Sequence, residues 1–401
     1  MRRVSAPPTG TSFDAIVVGL GGIGSATARA LAARPGVRVL GLEQFQLGHD
    51  RGASQDVSRI IRLSYHRREY VELAREAFAA WREVEAATGE RILTNTGGLD
   101  LQPPGSQEPV EDYATALSAA GVPFERLDEA ETMRRWPAWR LDPGTQVVYQ
   151  ADAGIADPSR GNPSLRRLAT DGGATLLERT KVAAIHDRGG TLVVETSDGR
   201  SFEAGSVVVT ADAWTNQLLE RLGTTIPLSV TLEQVTWFTP ADHAAFDPAR
   251  FPVWIWLDQP GFYGVPTHGE PGPKVGQDIG GQPTTPDDRT FEPDTVALAR
   301  VEAFLGRHLP GAHGPRLRTR TCLYTCTPDR DFVIDRLPEH PGVVVGLGSA
   351  HGYKFAALFG LLLADLALDP ARGRADPRLQ LFAIDRPALK PGPKPAPKSG
   401  A

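Results

Sequence analysis

Both cysteines of this 401-residue chain lie in one short stretch, "TCLYTC", as Cys322 and Cys326 on either side of Tyr324. The threonines and the tyrosine favour an extended strand. In a strand the two cysteines lie ~13 Å apart, beyond the ~7 Å Cα separation that a disulfide allows. Strand alternation places Cys322, Tyr324 and Cys326 on one face, and no Cys or His pair at zinc spacing lies nearby, so no metal site is expected. Buried packing and a thiol that does chemistry both remain open.

A glycine-rich turn stands between two apolar runs in "DAIVVGLGGIGSATARALAARPGVRVLGLE", residues 14–43. This pattern predicts a β-α-β unit in which Gly19 permits a tight turn, Gly21 lets a pyrophosphate approach, and Gly24 lets helix and strand pack closely. Glu43 ends the second strand, where a carboxylate can accept hydrogen bonds from ribose hydroxyls. The motif does not distinguish FAD from NAD, because both carry the ADP half.

Cationic side chains near both ends of the chain could meet an anion. Arg59 and Arg62 are three residues apart and precede an amphipathic helical pattern, although isolated arginines are more often surface charges. Lys354 follows His351 in a Gly-rich turn at the start of an apolar helix, where a lysine opposes the helix dipole and so indicates a nearby anion. In the amphipathic helix that follows Arg62, the apolar stripe consists of Tyr70, Leu73, Ala77, Trp81 and Val84.

The composition limits the possible partners. A net charge of -5 and a pI near 6.0 argue against nucleic acid or an anionic membrane surface, because both require basic patches. The longest apolar run, residues 355–368, contains Asp365 and is too short to span a bilayer, so we expect a buried helix. The N-terminus lacks a secretory apolar core and two cysteines fit a reducing compartment, so we expect a cytoplasmic protein. The C-terminal segment is rich in Pro, Lys and Gly, and we expect flexible tails at 1–12 and 391–401. We also expect a monomer.

Together these motifs resemble the monomeric sarcosine oxidase and N-methyltryptophan oxidase family, covalent FAD amine oxidases of the D-amino-acid-oxidase-like class. The resemblance runs from about Phe13 to Leu389 and includes "SRIIRLSYHRREY", "TADAW", "FYGVP", "GPKVG", "TCLYTCTPDRDFVID", "SAHGYKF" and "FAIDRPAL". It implies an α/β fold with an FAD-binding Rossmann-like domain of discontinuous segments plus a sheet-based α+β substrate domain. The implied ranges are 13–92, 155–225 and 329–390 for the FAD-binding domain, and 93–154 and 226–328 for the substrate domain.

The resemblance also implies roles for individual residues. Cys322 matches the cysteine that tethers the flavin, Arg62 and Lys354 match the pair that holds the substrate carboxylate, and Lys274 matches the lysine that activates oxygen. Arg59 lies near the flavin ring, whereas Tyr263, Tyr324 and His351 match residues of the amine site. Cys326 has no family role, and we expect it to pack in the core. The expected cofactor contacts are Gly19, Gly21, Gly22, Ile23, Gly24, Glu43, Gln44, Ser58, Arg59, Val182, Thr210, Ala211, Trp214, Cys322, Gly348, Gly352 and Lys354.

The family reaction moves a hydride equivalent from the carbon beside an amine nitrogen to the flavin, after which the imine hydrolyses and oxygen becomes hydrogen peroxide. We therefore expect an oxidase of a secondary amine or of an N-methyl or cyclic amino acid, with that small molecule and molecular oxygen as its partners. The alternatives are an NAD-dependent dehydrogenase, a flavin-dependent amine dehydrogenase that passes electrons to a carrier, and a non-catalytic flavin-binding module.

Four residues depart from the family's usual pattern. Gln277 and Asp278 follow Lys274 where sarcosine oxidases carry an aromatic residue and a histidine, and Trp254 and Trp256 stand where smaller side chains are usual. The tryptophans either fill the core or reshape the substrate pocket. We therefore expect a substrate that differs from sarcosine in size or ring content.

Overall fold

The computed structural model describes residues 11–369, 371 and 375–390 of the chain. The tails expected at 1–12 and 391–401 lie outside this part, apart from Thr11 and Ser12, and Ser12 already begins the first strand. Across the described residues, no helix is both long enough and apolar enough to cross a bilayer.

Three sheets and a set of helices make up the described chain. The strands are β1 (Ser12–Val18), β2 (Val39–Leu42), β3 (Arg59–Ile61), β4 (Leu93–Asn95), β5 (Gly98–Gln102), β6 (Glu125–Asp128), β7 (Gln146–Gln150), β8 (Gly154–Ala156), β9 (Thr175–Leu177), β10 (Val182–Asp187), β11 (Leu192–Thr196), β12 (Ser201–Val209), β13 (Ser229–Phe238), β14 (Val253–Trp256), β15 (Gly261–Val265), β16 (Lys274–Asp278), β17 (Gln282–Pro283), β18 (Arg316–Cys326), β19 (Val333–Arg336) and β20 (Val343–Leu347). The α-helices are α1 (Gly22–Ala32), α2 (Arg68–Thr88), α3 (Val110–Ala119), α4 (Glu129–Arg135), α5 (Pro158–Asp171), α6 (Thr215–Leu219), α7 (Thr295–His308) and α8 (Ala356–Leu368).

The first sheet is built around β1, which runs parallel to β2 on one side and to β12 on the other. Its order is β10-β11-β12-β1-β2-β9, with β20 also paired to β12 and β19 paired to β20. Alternate residues of β1 enter two different cores, as Ala15 packs with one cluster and Ile16 with another, and both are fully buried. Burial on both faces is typical of a parallel strand in an α/β fold. The predicted β-α-β unit is thereby confirmed as β1, α1 and β2.

Two predicted apolar helices are also confirmed. The expected stripe of α2, including Tyr70, Trp81 and Val84, is buried against the core that α8 enters. Helix α8 is buried along nearly its whole length, as the apolar run predicted. It lies so close to α1 that a Cβ on Gly360 would stand 2.4 Å from the carbonyl carbon of Ala26, so only glycine fits there.

The second sheet has the order β17-β13-β16-β15-β14-β5-β7-β6, and β18 pairs with β13 along its length. Helix α7 covers one face of this sheet. Trp254 and Trp256 of β14 both point to that face, where their rings lie 5.5 and 5.2 Å from the ring of Phe304. The tryptophans therefore fill the core, and of the two only Trp256 also reaches the edge of the large cavity described below.

The third sheet is a small one, β3-β8-β4, and it positions the arginines. Arg59 opens β3 opposite Ala156, and Arg62 follows directly after the strand ends at Ile61. A Cβ on Gly154 of β8 would stand 2.0 Å from the carbonyl oxygen of Thr94, so this position requires glycine for the strands to pair. Strands β8 and β4 therefore pack closely at Gly154.

Candidate active site

One cavity of about 2100 Å³ brings together residues from both large sheets. It is larger than the ~300–1000 Å³ of an ordinary small-molecule site, so it has room for a dinucleotide and a second ligand. Every residue that the sequence assigned to catalysis or cofactor binding lines it except Gly24. Its lining includes Gly19, Gly21, Gly22, Ile23, Glu43, Gln44, Ser58, Arg59, Arg62, Val182, Thr210, Ala211, Trp214, Tyr263, Lys274, Cys322, Tyr324, Gly348, His351, Gly352 and Lys354.

The glycine turn at one end of this cavity fits a phosphate group. Gly19 has φ +91°, and a Cβ there would stand 2.6 Å from the carbonyl oxygen of Thr210. Gly24 packs against the turn itself, since its Cβ would meet the Gly19 carbonyl at 1.8 Å. Helix α1 starts at Gly22, whose amide donates to Ser54 Oγ at 3.0 Å, and both residues line the cavity, so the positive end of the helix dipole points toward it.

Glu43 stands at the end of β2, as the nucleotide motif predicts. Its two carboxylate oxygens accept hydrogen bonds from the amides of Leu20 (2.9 Å) and Phe45 (3.0 Å), and His49 lies 3.4 Å away. Burial by itself would raise the pKa of Glu43, but the hydrogen bonds from His49, Phe45 and Leu20 leave that pKa below its ordinary value. The group is therefore a carboxylate at neutral pH and can accept from a ribose hydroxyl.

A second carboxylate, Asp56, links two of the expected catalytic cations. Lys274 Nζ donates to Asp56 Oδ2 at 2.9 Å and to the Ser58 carbonyl at 2.6 Å. Arg59 Nη1 donates to the same Asp56 oxygen at 2.9 Å. Burial lowers the pKa of Lys274, and Asp56 is the largest influence that opposes it. No motif in the sequence indicated Asp56, whose only local signal is an acid three residues before Arg59.

Cys322 and Tyr324 of β18 are half-buried and line the cavity, whereas the intervening Leu323, which also touches it, is fully buried against Ala213 and Trp214. The strand alternation expected from "TCLYTC" is therefore observed. Tyr324 Oη lies 3.4 Å from Tyr263 Oη on β15. Burial raises the pKa of Cys322 to about 11, with Arg59 opposing that rise, so the thiol is neutral at physiological pH. Both cysteines are free, and Cys326 is buried outside the cavity lining.

The expected carboxylate clamp, Arg62 and Lys354, also lines the cavity. The guanidinium of Arg62 lies 4.9 Å from the centroid of the Tyr65 ring, and Lys354 Nζ lies 5.8 Å from the same ring. Arg62 Nη1 donates to Asp100 of β5, an acid that the sequence analysis did not identify. The Lys354 carbonyl accepts from Trp81 Nε1 at 2.9 Å, but its Nζ has no hydrogen-bond or ion-pair partner among the residues that the structure describes. Burial, assisted by the nearby Arg62, lowers the pKa of Lys354 to about 7.

His351 is held as a neutral ring beside this clamp. Its Nε2 donates to the Arg330 carbonyl at 2.9 Å, and its ring centroid lies 4.5 Å from that of Phe332. Burial, together with the cation of Lys354, lowers the pKa of His351 well below its ordinary value. An imidazole that stays uncharged at neutral pH does not repel a protonated amine.

The four departures from the family pattern do not all face the cavity. Gln277 accepts from Arg300 Nε of α7 at 2.6 Å on the far side of the sheet, and Trp254 packs on that side as well. Asp278 does face the cavity, where both Nη atoms of Arg330 bond its carboxylate at 3.1 and 3.3 Å. Of the four departures, only Asp278 and the edge of Trp256 therefore support the expectation that the substrate differs from sarcosine.

Comparison with known proteins identifies the class of this site. A family model described as "FAD dependent oxidoreductase" matches residues 14–366. A monomeric sarcosine oxidase of Streptomyces avermitilis is 36% identical over 89% of this chain and 94% of its own. An N-methyl-L-tryptophan oxidase of Salmonella heidelberg is 32% identical over 89% and 95%, respectively. An open form of NikD, described as an unusual amino acid oxidase essential for nikkomycin biosynthesis, superimposes with a TM-score of 0.82 at 28% identity, covering 92% of this chain and 97% of that one.

The chain belongs to the FAD-dependent oxidoreductase family. Within that family it belongs with the monomeric sarcosine oxidases and N-methyltryptophan oxidases, as the sequence resemblance indicated. Its cofactor is therefore FAD, and the residues present fit that group through the phosphate cradle, the carboxylate of Glu43 and the size of the cavity. The protein is an enzyme of the amine oxidase class that acts on a small molecule.

Proposed function

We propose that the protein oxidises a secondary amine, or an N-methyl or cyclic amino acid, with FAD and molecular oxygen. The products are an imine, which hydrolyses to a carbonyl compound and an amine, and hydrogen peroxide. The observation that carries the proposal is that one cavity contains Lys354, whose Nζ has no ion-pair partner in the described part of the chain, together with Cys322 and the Lys274–Asp56 pair. The cavity therefore holds a cation that can bind a substrate acid (Lys354), a thiol that can bond the cofactor (Cys322) and a cation that can act on oxygen (Lys274).

The substrate carboxylate binds Arg62 and Lys354 in this proposal. Arg62 is fixed in place by Asp100 and by the ring of Tyr65, so it offers a directed donor, whereas Lys354 contributes the unbalanced charge. Charge-assisted hydrogen bonds of this kind are about twice as strong as neutral ones. The neutral ring of His351 leaves the amine end free of repulsion.

FAD, when bound, supplies the two-electron oxidation of the carbon–nitrogen bond and the return of electrons to oxygen. The chain's own residues supply orientation and electrostatics around it. Tyr263 and Tyr324 line the amine site, and their hydroxyl groups lie next to each other on the cavity wall. The turn from Gly348 to Gly352 lines the cavity and is tightly folded, since a Cβ on Gly348 would stand 2.9 Å from the Gly352 Cα.

We propose further that Cys322 carries the flavin covalently. Forming a thioether would break the S–H bond of Cys322 and one C–H bond of the flavin methyl group, and the two electrons released would pass through FAD to molecular oxygen. The step requires the thiolate form of the cysteine, and burial disfavours that form. Arg59 is the nearby cation that lowers the pKa of Cys322 most strongly, so it would promote the bond. Cys326 lies outside the cavity lining, opposite Ser229 in the pairing of β13 and β18, and takes no part in binding the flavin.

Lys274 is the proposed site of oxygen activation. Its ammonium is only 2% exposed and is held by Asp56, so it presents a fixed positive charge in a site of low dielectric. A charge that is already in position stabilises the negative charge that oxygen acquires on reduction. An enzyme that passes electrons to a protein carrier has no need of such a group.

We propose two domains, a cellular location and an oligomeric state for the protein. The proposed FAD-binding domain, 13–92, 155–225 and 329–390, is supported by the first sheet, whose strands fall in those ranges apart from Ser12, the first residue of β1. The proposed substrate domain, 93–154 and 226–328, is supported in the same way by the second sheet. We also propose a cytoplasmic monomer, in keeping with two free cysteines and an acidic pI; gel filtration and cell fractionation test these points.

A screen of peroxide release tests the proposed function. N-methyl amino acids, cyclic imino acids and amines that lack an acid group should be supplied in air, with oxygen uptake recorded in parallel. We expect equal amounts of oxygen consumed and peroxide formed with one of the carboxylated amines. Turnover only with an artificial electron acceptor would instead identify an amine dehydrogenase.

A further inference from the structure

The buried carboxylate of Asp56 occupies an unusual position in this site. One of its oxygens, Oδ2, accepts from both Lys274 Nζ and Arg59 Nη1 at 2.9 Å. The two cations come from different parts of the fold, since Lys274 begins β16 and Arg59 begins β3. Asp56 is thus the one described side chain that bonds both the proposed oxygen site and the proposed flavin-ring cation.

We propose that Asp56 is a positioning residue for oxygen activation, which holds the ammonium of Lys274 in place and keeps it charged. This inference rests on the proposed role of Lys274 and deepens it. An ammonium that is almost entirely removed from water loses its hydration, and a bonded carboxylate is what compensates for that loss. The carbonyl of Ser58, the other acceptor at 2.6 Å, fixes direction but carries no charge.

The backbone at Asp56 is shaped for this purpose. Its φ of +100° lies in the left-handed region, which side chains other than Gly, Asn and Asp rarely adopt. Its other carboxylate oxygen, Oδ1, accepts from the amide of Val57 at 2.7 Å and so fixes the side chain. Asparagine tolerates the same backbone and nearly matches aspartate in shape, so Asp56→Asn removes the negative charge with little disturbance of the fold. Its NH2 group cannot accept, so the bond to the cations or the bond to Val57 is lost together with the charge.

Three titratable or charged groups face Lys274 from the elements packed around it. Asp56 favours its charged form, Arg59 disfavours it, and Cys322 on β18 is neutral at physiological pH. The ring of Trp237 on β13, with its centroid 5.6 Å from Nζ, adds a weaker attraction. Asp56 is therefore the one carboxylate among them, and its removal leaves Lys274 beside Arg59 without a counter-charge.

Lysine NMR measures this charge without reference to turnover. The chain contains only six lysines, at 181, 274, 354, 390, 394 and 398, so protein labelled with 13C at the lysine ε-carbon gives few signals. Lys274→Met assigns the signal of interest. In the parent holoenzyme this signal should stay in its charged position from about pH 6 to pH 8, and in Asp56→Asn it should titrate at lower pH. Titration of Lys274 below pH 8 in the parent would overturn the proposal without any variant at Asp56.

Stopped-flow measurement of the two half-reactions gives the second readout. Each unit by which the pKa of Lys274 falls below the working pH removes about tenfold of its charged form. Reoxidation of Asp56→Asn by oxygen should therefore slow about tenfold or more at high pH and recover toward low pH, while anaerobic reduction by substrate changes less than about threefold. Asp335→Asn is the matched control, because Asp335 is also buried but, in the described part of the chain, its carboxylate bonds only the amides of Arg336 and Ile384.

The outcomes separate this inference from the proposed function on which it rests. If Lys274→Met reoxidises as fast as the parent, the oxygen role of Lys274 fails, whatever the NMR titration shows. If Lys274→Met is slow but Asp56→Asn has a parental titration and a parental reoxidation rate at every pH, Asp56 is not the positioning residue. A uniform slowing of both half-reactions, matched by Asp335→Asn, would likewise overturn it.

Discussion

The charge of Lys354 should control how tightly the enzyme binds a substrate acid, and pH is the simplest perturbation of that charge. Burial and the nearby Arg62 lower the pKa of Lys354 to about 7, so the group is an ammonium below that pH and an amine above it. Arg62 is already paired with Asp100. Titration of Lys354 therefore changes the net charge of the clamp formed by these three residues from one positive to zero.

The magnitude follows from this charge difference. A hydrogen bond to a charged group contributes ~1.5–3 kcal/mol, which is about ten- to 160-fold in a dissociation constant. The Kd of an unreactive carboxylate should be constant below pH ~7 and rise about tenfold for each pH unit above it, until the raised pKa of the complex is reached. Binding in that window should be accompanied by proton uptake, because the bound anion favours the ammonium.

Flavin absorbance provides the assay. The holoenzyme is titrated with acetate or benzoate between about pH 5.5 and pH 9, and the same titration is made with Lys354→Met and with Lys390→Met, an exposed lysine that serves as control. Lys354→Met should bind the acid weakly with no step near neutral pH, and Lys390→Met should behave as the parent. A pH-independent Kd in the parent, or parental affinity in Lys354→Met, would refute the assignment of Lys354 to the carboxylate clamp.

Three further predictions address the rest of the site. After acid precipitation the flavin should stay attached to the parent and to the Cys326→Ala variant, but not to the Cys322→Ala variant. Release of all flavin from the parent would disprove the covalent bond. Lys274→Met should slow reoxidation about a thousandfold, a barrier change of ~4 kcal/mol, while anaerobic reduction changes much less; equal reoxidation rates would contradict the oxygen site. Trp254→Ala should lower the free energy of unfolding by about 3–5 kcal/mol in urea denaturation without changing the order of preferred substrates, whereas a changed order would mean that Trp254 reaches the pocket.

Features that depend on neighbouring residues in the chain could be predicted from the sequence. The glycine turn is one, because Gly19 and Gly24 are required by backbone geometry within a single β-α-β unit. The common face of Cys322 and Tyr324 is another, because alternation along a strand is a local property. The ordered motifs along the whole chain also predicted the family and its α/β FAD-binding fold, and comparison with relatives confirms both.

The partners of the charged groups were decided only by tertiary structure. Lys274 and Asp56 are 218 residues apart, and Arg62 and Asp100 are 38 apart, so no spacing rule joins them. Periodicity gives the alternation of β14 and β16 but not which face meets the cavity, and the packing of α7 places Trp254 and Gln277 on the other face. The sequence alone therefore determined the cofactor cradle and the chemical types of the site residues. The fold determined which of them are buried, paired and charged, because burial and counter-charges arise only when distant segments pack together.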